Sequence, residues 1–470
     1  MIVLEQQKDE VKNLKKTLFL EKKHGGTVLD EKKLQAVEDF SKNYKLFLDK
    51  CKTEREVVKE SVAIAKSFGF TEFDHKVKYQ PGKKVYYVNR EKAVILAVIG
   101  KNTIADGARI AVAHIDSPRL DLKPSPLYES NEIALLKTHY YGGIKKYQWL
   151  AIPLALHGKI IKKSGESVDI SVGEREDEPC FCITDLLPHL AKDQMKKTIA
   201  EGFSGEDLNA LAGSLPFSNE EGKDLVKLNI LKILNDKYGI TETDFLSAEL
   251  ELVPAFKALD IGFDRSMIGA YGHDDRVCAY PALRAILECQ DLENTAITVL
   301  VDKEEVGSDG NTGMNSAFFQ YFIEDLAKQD NFEARHVLSK SKCLSTDVNA
   351  AFDPNFSSYY ESENSCYINR GVAVTKYTGN GGKASTSDAS AEFFGEIRKI
   401  LDDNEIIWQA GEMGKVDKGG GGTIAKFIAN LNIDVVDIGV PMFSMHAPFE
   451  IVSKIDVYMT YLAIKSFFEN

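Results

Sequence analysis

ARIAVAHID, residues 108–116, is the stretch from which the rest of the chain is read. An apolar run, Ala111-Val112-Ala113, leads into His114, and Asp116 follows two residues on. Side chains at i and i+2 of a strand share a face. His114 and Asp116 could therefore stand side by side, as a metal-binding imidazole and the carboxylate that orients it. A surface turn would use the same residues, so the question is what else the fold brings to them.

Downstream the pattern alternates. VCAYPALRAILECQ reads as helix, TAITVLVDKEE as strand, SAFFQYFIEDLAKQ as helix and KCLSTDVNA as strand. RGVAVTKY is a further strand, followed by helices near 388–401 and 423–431, the strand DVVDIGV and a final helix ending at Phe468. Such alternation predicts an α/β fold, a mostly parallel, doubly wound sheet flanked by helices. Residues 5–68 read as helical, and KKVYYVNREKAVILAVIG as two strands about an Asn-Arg-Glu turn. Between the first strands and the alternating run lies a β-rich stretch interrupted by Pro118, Pro124 and Pro126. The expected division is one domain from 1–117 and 259–470, with 118–258 inserted.

In open α/β sheets, ligand-binding groups gather beyond the carboxyl ends of the strands. ARIAVA ends in His114-Ile-Asp116, and Asp274-Asp275 open the helix after Gly272-His273. TAITVLVDK ends in Glu304-Glu305, KCLST in Asp347, and DVVDIGVPMFSM in His446. Each alone has a plain reading: a solvated charge pair, a helix N-cap, a turn. Their recurrence at strand ends points to a metal site. Two histidines with carboxylates and no cysteine suit Zn²⁺, Mn²⁺ or Co²⁺ rather than a thiolate structural zinc. Five ligand residues exceed the needs of one open catalytic zinc and fit two ions sharing a carboxylate. Such a pair activates water and polarises a carbonyl. One of Glu304 and Glu305 is then free as general base.

Composition narrows the partners. The 470 residues carry 58 Lys+Arg against 71 Asp+Glu, a net charge of −13, which disfavours nucleic acid and anionic membrane. Seven scattered cysteines without a CxxC pair fit reduced thiols in a cytoplasm. The N-terminus lacks a signal-peptide h-region, and no apolar run approaches the ~20 residues of a membrane span.

AHIDSPRLD, GHDDRVCAY, DKEEVGS, STDVNA and PMFSMHAP, in this order, resemble the aspartyl aminopeptidase family of dinuclear metallopeptidases, in its bacterial form. The resemblance spans nearly the whole chain. It implies that His114 and Asp347 hold one metal, Glu305 and His446 the other, and that Asp274 bridges them. It makes Glu304 the acid–base, Asp116 the orienter of His114, and zinc the most expected ion. It implies peptide substrates with a free amine and an acidic preference. It also makes the insertion a dimerisation domain, with six dimers closing a tetrahedral dodecamer.

Two further segments match. LAIPLALHG implicates His157 as a residue reaching the neighbouring subunit's site. RGVAVTKYTGN implicates Lys376 as facing substrate, where a lysine could pair with an acidic side chain. The segment around His157, QWLAIPLALHGKI, is the most apolar of the insertion, either an exposed interface or part of the insertion's own core. Gly419–Gly422 lack the phosphate-loop form. Gly420 and Gly421 are expected to line a substrate cleft, where backbone can approach a ligand closely. The competing enzyme reading is a dinuclear deacylase or carboxypeptidase on the same scaffold, separated by comparing a free-amine peptide with its N-acetyl form. A non-catalytic scaffold would be expected to have lost ligands that this chain retains.

Overall fold

The structure, a computed structural model, describes residues 2–219, 222–379 and 381–470, with side chains from residue 9 onward. Among these residues, three sheets form. The largest has nine strands, and its centre is four parallel strands in the order Thr295–Val301, Ala108–His114, Lys342–Thr346 and Asp434–Gly439. Along Ala108–His114, Ile110 and Val112 pack into one core with Phe318, Phe319 and Phe322. Ala111 and Ala113 pack into the other with Val277, Ala282 and Leu283. A strand covered by helices on both faces is apolar at successive positions rather than at alternate ones, which is why this run reads as continuous.

The large sheet is mixed rather than uniformly doubly wound. Ala93–Val98 and Val372–Thr375 run antiparallel to their inner neighbours. The first exception follows from local chemistry. Lys84–Asn89 and Ala93–Val98 form a hairpin, with Arg90 and Glu91 at φ 53° and 58°. Two successive left-handed residues make the turn whose twist suits a tight hairpin, and tight hairpins are antiparallel.

A five-stranded sheet, which the sequence pattern did not anticipate, ties together two distant parts of the chain. Met267–Ala270, just before Asp274, pairs antiparallel with Glu450–Ser453, just after His446. This pairing sets Asp274 and His446 beside one another.

The third sheet is antiparallel, six-stranded and built from strands between Arg119–Ser130 and Ala248–Pro254. It has its own core, which includes Trp149, Leu154, Leu156 and Ile160. The apolar stretch around His157 is therefore interior to this sheet rather than an exposed face. His157 itself, on Leu154–Ile161, is buried, with Nδ1 at 2.8 Å from Glu56 and Nε2 at 3.0 Å from Glu174. Both ring nitrogens are committed within the subunit, so the expectation that His157 reaches a neighbouring site fails on this geometry.

What His157 does instead is electrostatic. Burial alone would lower its pKa, but hydrogen bonds to Glu174 and Glu56 outweigh this and raise it to about 9. A histidine whose folded pKa is raised stabilises the fold fully below its ordinary value near 6.5 and loses that stabilisation as pH rises through about 9. The Tm difference between wild type and His157→Gln should therefore be large at pH 6 and shrink by pH 9.5. A difference independent of pH in thermal melts would remove the charged pair from the account.

Candidate active site

The carboxyl ends of the four central strands converge on one cleft. His114 closes its strand, and Asp116 folds back beside it. Nδ1 of His114 donates to the Asp116 main-chain carbonyl at 3.1 Å and faces its carboxylate at 3.3 Å. This leaves Nε2 facing outward, 3.1 Å from Oδ1 of Asp274 and 3.8 Å from Oδ1 of Asp347. His446 repeats the arrangement from the opposite side. Its Nδ1 donates to the Gly143 carbonyl at 2.9 Å, and its Nε2 lies 3.2 Å from Oδ2 of Asp274 and 3.6 Å from Oε2 of Glu305. The two oxygens of Asp274 thus face two different imidazoles.

Two ligand groups overlap here: His114 with Asp275 and Asp347, and His114 with Asp274 and Glu305. Donor separations of 3.1 to 3.8 Å are those of atoms gathered about ions with ligand bonds of roughly 2.0–2.2 Å. Charge makes the same case. Burial, reinforced by neighbouring carboxylates, pushes Glu305, Asp275 and Asp347 well above the usual range. Burial likewise opposes ionisation of Asp274, but hydrogen bonds from both histidines hold its carboxyl well below the usual value. Oε1 of Glu305 is buried without a hydrogen-bond partner among the described residues. A donor set with this surplus of buried carboxylate fits divalent cations.

Glu304 stands apart from these groups. Its Oε2 lies 3.9 Å from His114 Nε2, and it lines the cleft. Burial, with Asp116 and Asp274 nearby, raises its carboxyl to about 7, against the pull of His114. Asp116 is buried, and both its oxygens are used. Oδ1 accepts the Glu304 main-chain N–H at 3.1 Å, and Oδ2 accepts that of Glu305 at 3.2 Å. Asp116 therefore orients His114 and the Glu304-Glu305 turn together.

Gly420 and Gly421 line the same cleft, of about 450 Å³. Lys376 does not line it: it is exposed just past Val372–Thr375.

Several contributors had no signal in strand-end logic. Glu450 is buried and accepts the main-chain N–H groups of Asp274 at 3.1 Å and of His446 at 2.7 Å. His446 is four residues from it in the chain, but Asp274 is 176 residues away and is brought to it by the five-stranded sheet. HYYGG, at the end of Ile133–Tyr141 in the six-stranded sheet, supplies the Gly143 carbonyl and the Tyr141 hydroxyl, which donates to Oδ2 of Asp116 at 2.8 Å. The Arg119 guanidinium lies over the Tyr141 ring at 3.9 Å and locks it. Outer partners of ligand-orienting carboxylates are typically worth about 10–100-fold in metal affinity or activity. Tyr141→Phe, which keeps the ring and removes the donor, should lose metal in competition with a chelator at a concentration that wild type withstands. Equal retention would show that Asp116 holds its place without Tyr141.

An α/β sheet whose strand ends gather two imidazoles, several carboxylates and a separate glutamate is the arrangement of a metallohydrolase. Residues 47–468 match the family model described as aminopeptidase I zinc metalloprotease (M18). The chain is 48% identical, over 461 residues, to the probable M18 family aminopeptidase 1 of Clostridium acetobutylicum, covering 96% of this chain and 99% of that one. The crystal structure of the M18-family aminopeptidase from Thermotoga maritima superposes with a TM-score of 0.92 at 46% identity, covering 96% and 99% of the two chains. The fold is shared more distantly by the S. cerevisiae mApe1 dodecamer structure, at 20% identity and a TM-score of 0.75 over 92% of this chain and 97% of that one. The chain belongs to the M18 family of zinc aminopeptidases. It is a metalloexopeptidase that removes N-terminal residues from peptides.

Proposed function

We propose that this chain cleaves peptides with two divalent ions, zinc in the native enzyme, held by the residues at the strand ends. The observation that carries the reading is Asp274, whose two oxygens face His114 and His446 at 3.1 and 3.2 Å. His114 and Asp347 would hold one ion, His446 and Glu305 the other, and Asp274 both. Bound there, such ions supply Lewis-acid polarisation of the scissile carbonyl and acidify water.

The chain's own residues do the rest. Glu304 Oε2 takes a proton from the attacking water as its oxygen adds to the carbonyl carbon. As the C–N bond breaks, the same atom gives that proton to the departing amine, and the regenerated carboxylate completes the cycle. Asp116 holds the Glu304 main chain and the His114 ring in one geometry, so base and ligand cannot drift apart. Gly420 and Gly421 let the peptide backbone lie close to the wall. The surplus of carboxylates favours a protonated α-amine at the cleft.

Elemental analysis of the purified protein, with free-amine and N-acetylated aminoacyl substrates, tests this reading. Two ions per chain, mostly zinc, and turnover confined to the free-amine substrates are expected. One ion per chain would remove the shared carboxylate.

The inserted sheet, taken as 118–258, is proposed as the self-association domain. Leu186, Leu187 and Leu190 are exposed in an irregular segment of the insertion, and a cluster of exposed apolar side chains marks a candidate interface. The dodecameric state of the yeast relative supports the same assembly here. Light scattering giving a mass near that of one chain would refute it.

A further inference from the structure

A buried ionic cluster lies just past Asp116, where the chain enters the six-stranded sheet. Arg119 and Tyr141 are directly opposed in the antiparallel pair Arg119–Ser130 and Ile133–Tyr141. Opposed residues present their side chains on one face, which is why the guanidinium lies over the ring. Its edge is occupied as well. Nε donates to Asp121 at 2.8 Å and lies 3.4 Å from Oε2 of Glu251, and Nη1 donates to Oε2 of Glu54 at 3.5 Å. Glu54 comes from another part of the fold. It opens the helix Glu54–Ser67, whose Val57 and Val58 pack in the same core as Ala111 and Ala113. Its other oxygen faces Nζ of Lys92 at 3.5 Å. Arg119, Glu54, Glu251 and Tyr141 are all buried, so solvent ions screen these pairs little.

Tyr141 passes this anchoring to the site. Its hydroxyl donates to Oδ2 of Asp116, the oxygen that also accepts the Glu305 main-chain N–H at 3.2 Å. A ring with a guanidinium flat on one face cannot tilt without losing that contact. We propose that Arg119 is a positioning residue for the peptidase reaction, setting Tyr141 on Asp116 and through it the His114 ring and the Glu304-Glu305 turn. This rests on the two-metal reading of that site. The flat face matters as well as the charge. Lysine supplies a point charge with neither plane nor fork, so Arg119→Lys leaves Glu54 a cation and removes the stack.

The test incubates zinc-loaded wild type, Arg119→Lys, Tyr141→Phe and the double variant with graded EDTA. The zinc left on each is measured by elemental analysis, and thermal melts monitor folding. In Arg119→Lys the EDTA concentration that strips half the zinc should fall about 10-fold or more, with activity lost mainly through kcat. In the Tyr141→Phe background the same substitution should cost less than about 2-fold, because the hydroxyl it positions is gone and the two losses do not add. A side chain serving stability alone would lower Tm in both backgrounds and leave zinc retention where it was. Unchanged retention in folded Arg119→Lys, or losses that multiply in the double variant, would overturn the proposal. Glu54→Gln, which keeps its size and loses the pairing charge, takes the place of a lysine variant that does not fold, and the same two outcomes decide. Wild type holding no zinc would bring down the two-metal reading and the proposal with it, an outcome visible before any variant is compared.

Discussion

Glu304→Gln will lower kcat by at least about 10²- to 10⁴-fold, the range a positioned acid–base contributes, while the protein keeps its metal. The substitution preserves size and leaves the main-chain N–H on Oδ1 of Asp116 at 3.1 Å, so the turn that also carries Glu305 stays in place. What disappears is the oxygen that can take a proton, in a side chain that faces the cleft and lies outside both ligand groups. Elemental analysis beside single-turnover kinetics separates the two effects. Near-normal turnover would end the base assignment, and loss of an ion would make Glu304 a ligand instead.

Asp274→Ala should remove metal as well as activity, with fewer than two ions per chain after dialysis. One carboxylate faces both imidazoles, so its loss weakens two binding positions together. The surrounding backbone has independent anchors. Ser117 donates from Oγ to the Asp274 carbonyl at 2.6 Å, and Glu450 accepts the Asp274 N–H at 3.1 Å. The variant should therefore fold and fail at the ligand alone. Asp275→Ala is the contrast. Asp275 groups with His114 and Asp347 only, so its loss should affect one position. Two ions retained in Asp274→Ala, with both lost in Asp275→Ala, would transfer the shared role to Asp275.

The two variants also mark where local sequence stops being informative. Asp274 and Asp275 are adjacent and chemically identical, and nothing in GHDDRV distinguishes them. Their difference comes from the direction each side chain takes once Met267–Ala270 pairs with Glu450–Ser453.

What the sequence by itself determined is the set of groups that alternation in local pattern can reveal. A strand buried on both faces must be continuously apolar, so ARIAVA and TAITVLV announce themselves, and the polar residues that end them stand out. His114, the Asp274-Asp275 and Glu304-Glu305 pairs, Asp347 and His446 stand out that way, because periodicity is a local property of the chain; which member of each pair takes which role came from the family resemblance instead. Only the tertiary structure decided the rest. Glu450 reaches Asp274, and Gly143 reaches His446, across 176 and 303 residues, and Tyr141, under the Arg119 guanidinium, reaches Asp116 from the six-stranded sheet. The resemblance implicated His157 in a neighbouring site, and its apolar segment left interface and core both open, because apolar runs read alike whether they face solvent or a second layer. The six-stranded sheet buries that run and pairs its histidine with Glu56 and Glu174. Lys376 is an ordinary lysine in sequence, and only the tertiary structure shows it exposed just past Val372–Thr375 and off the cleft wall, because whether a residue borders a cleft is set by packing rather than by residue type.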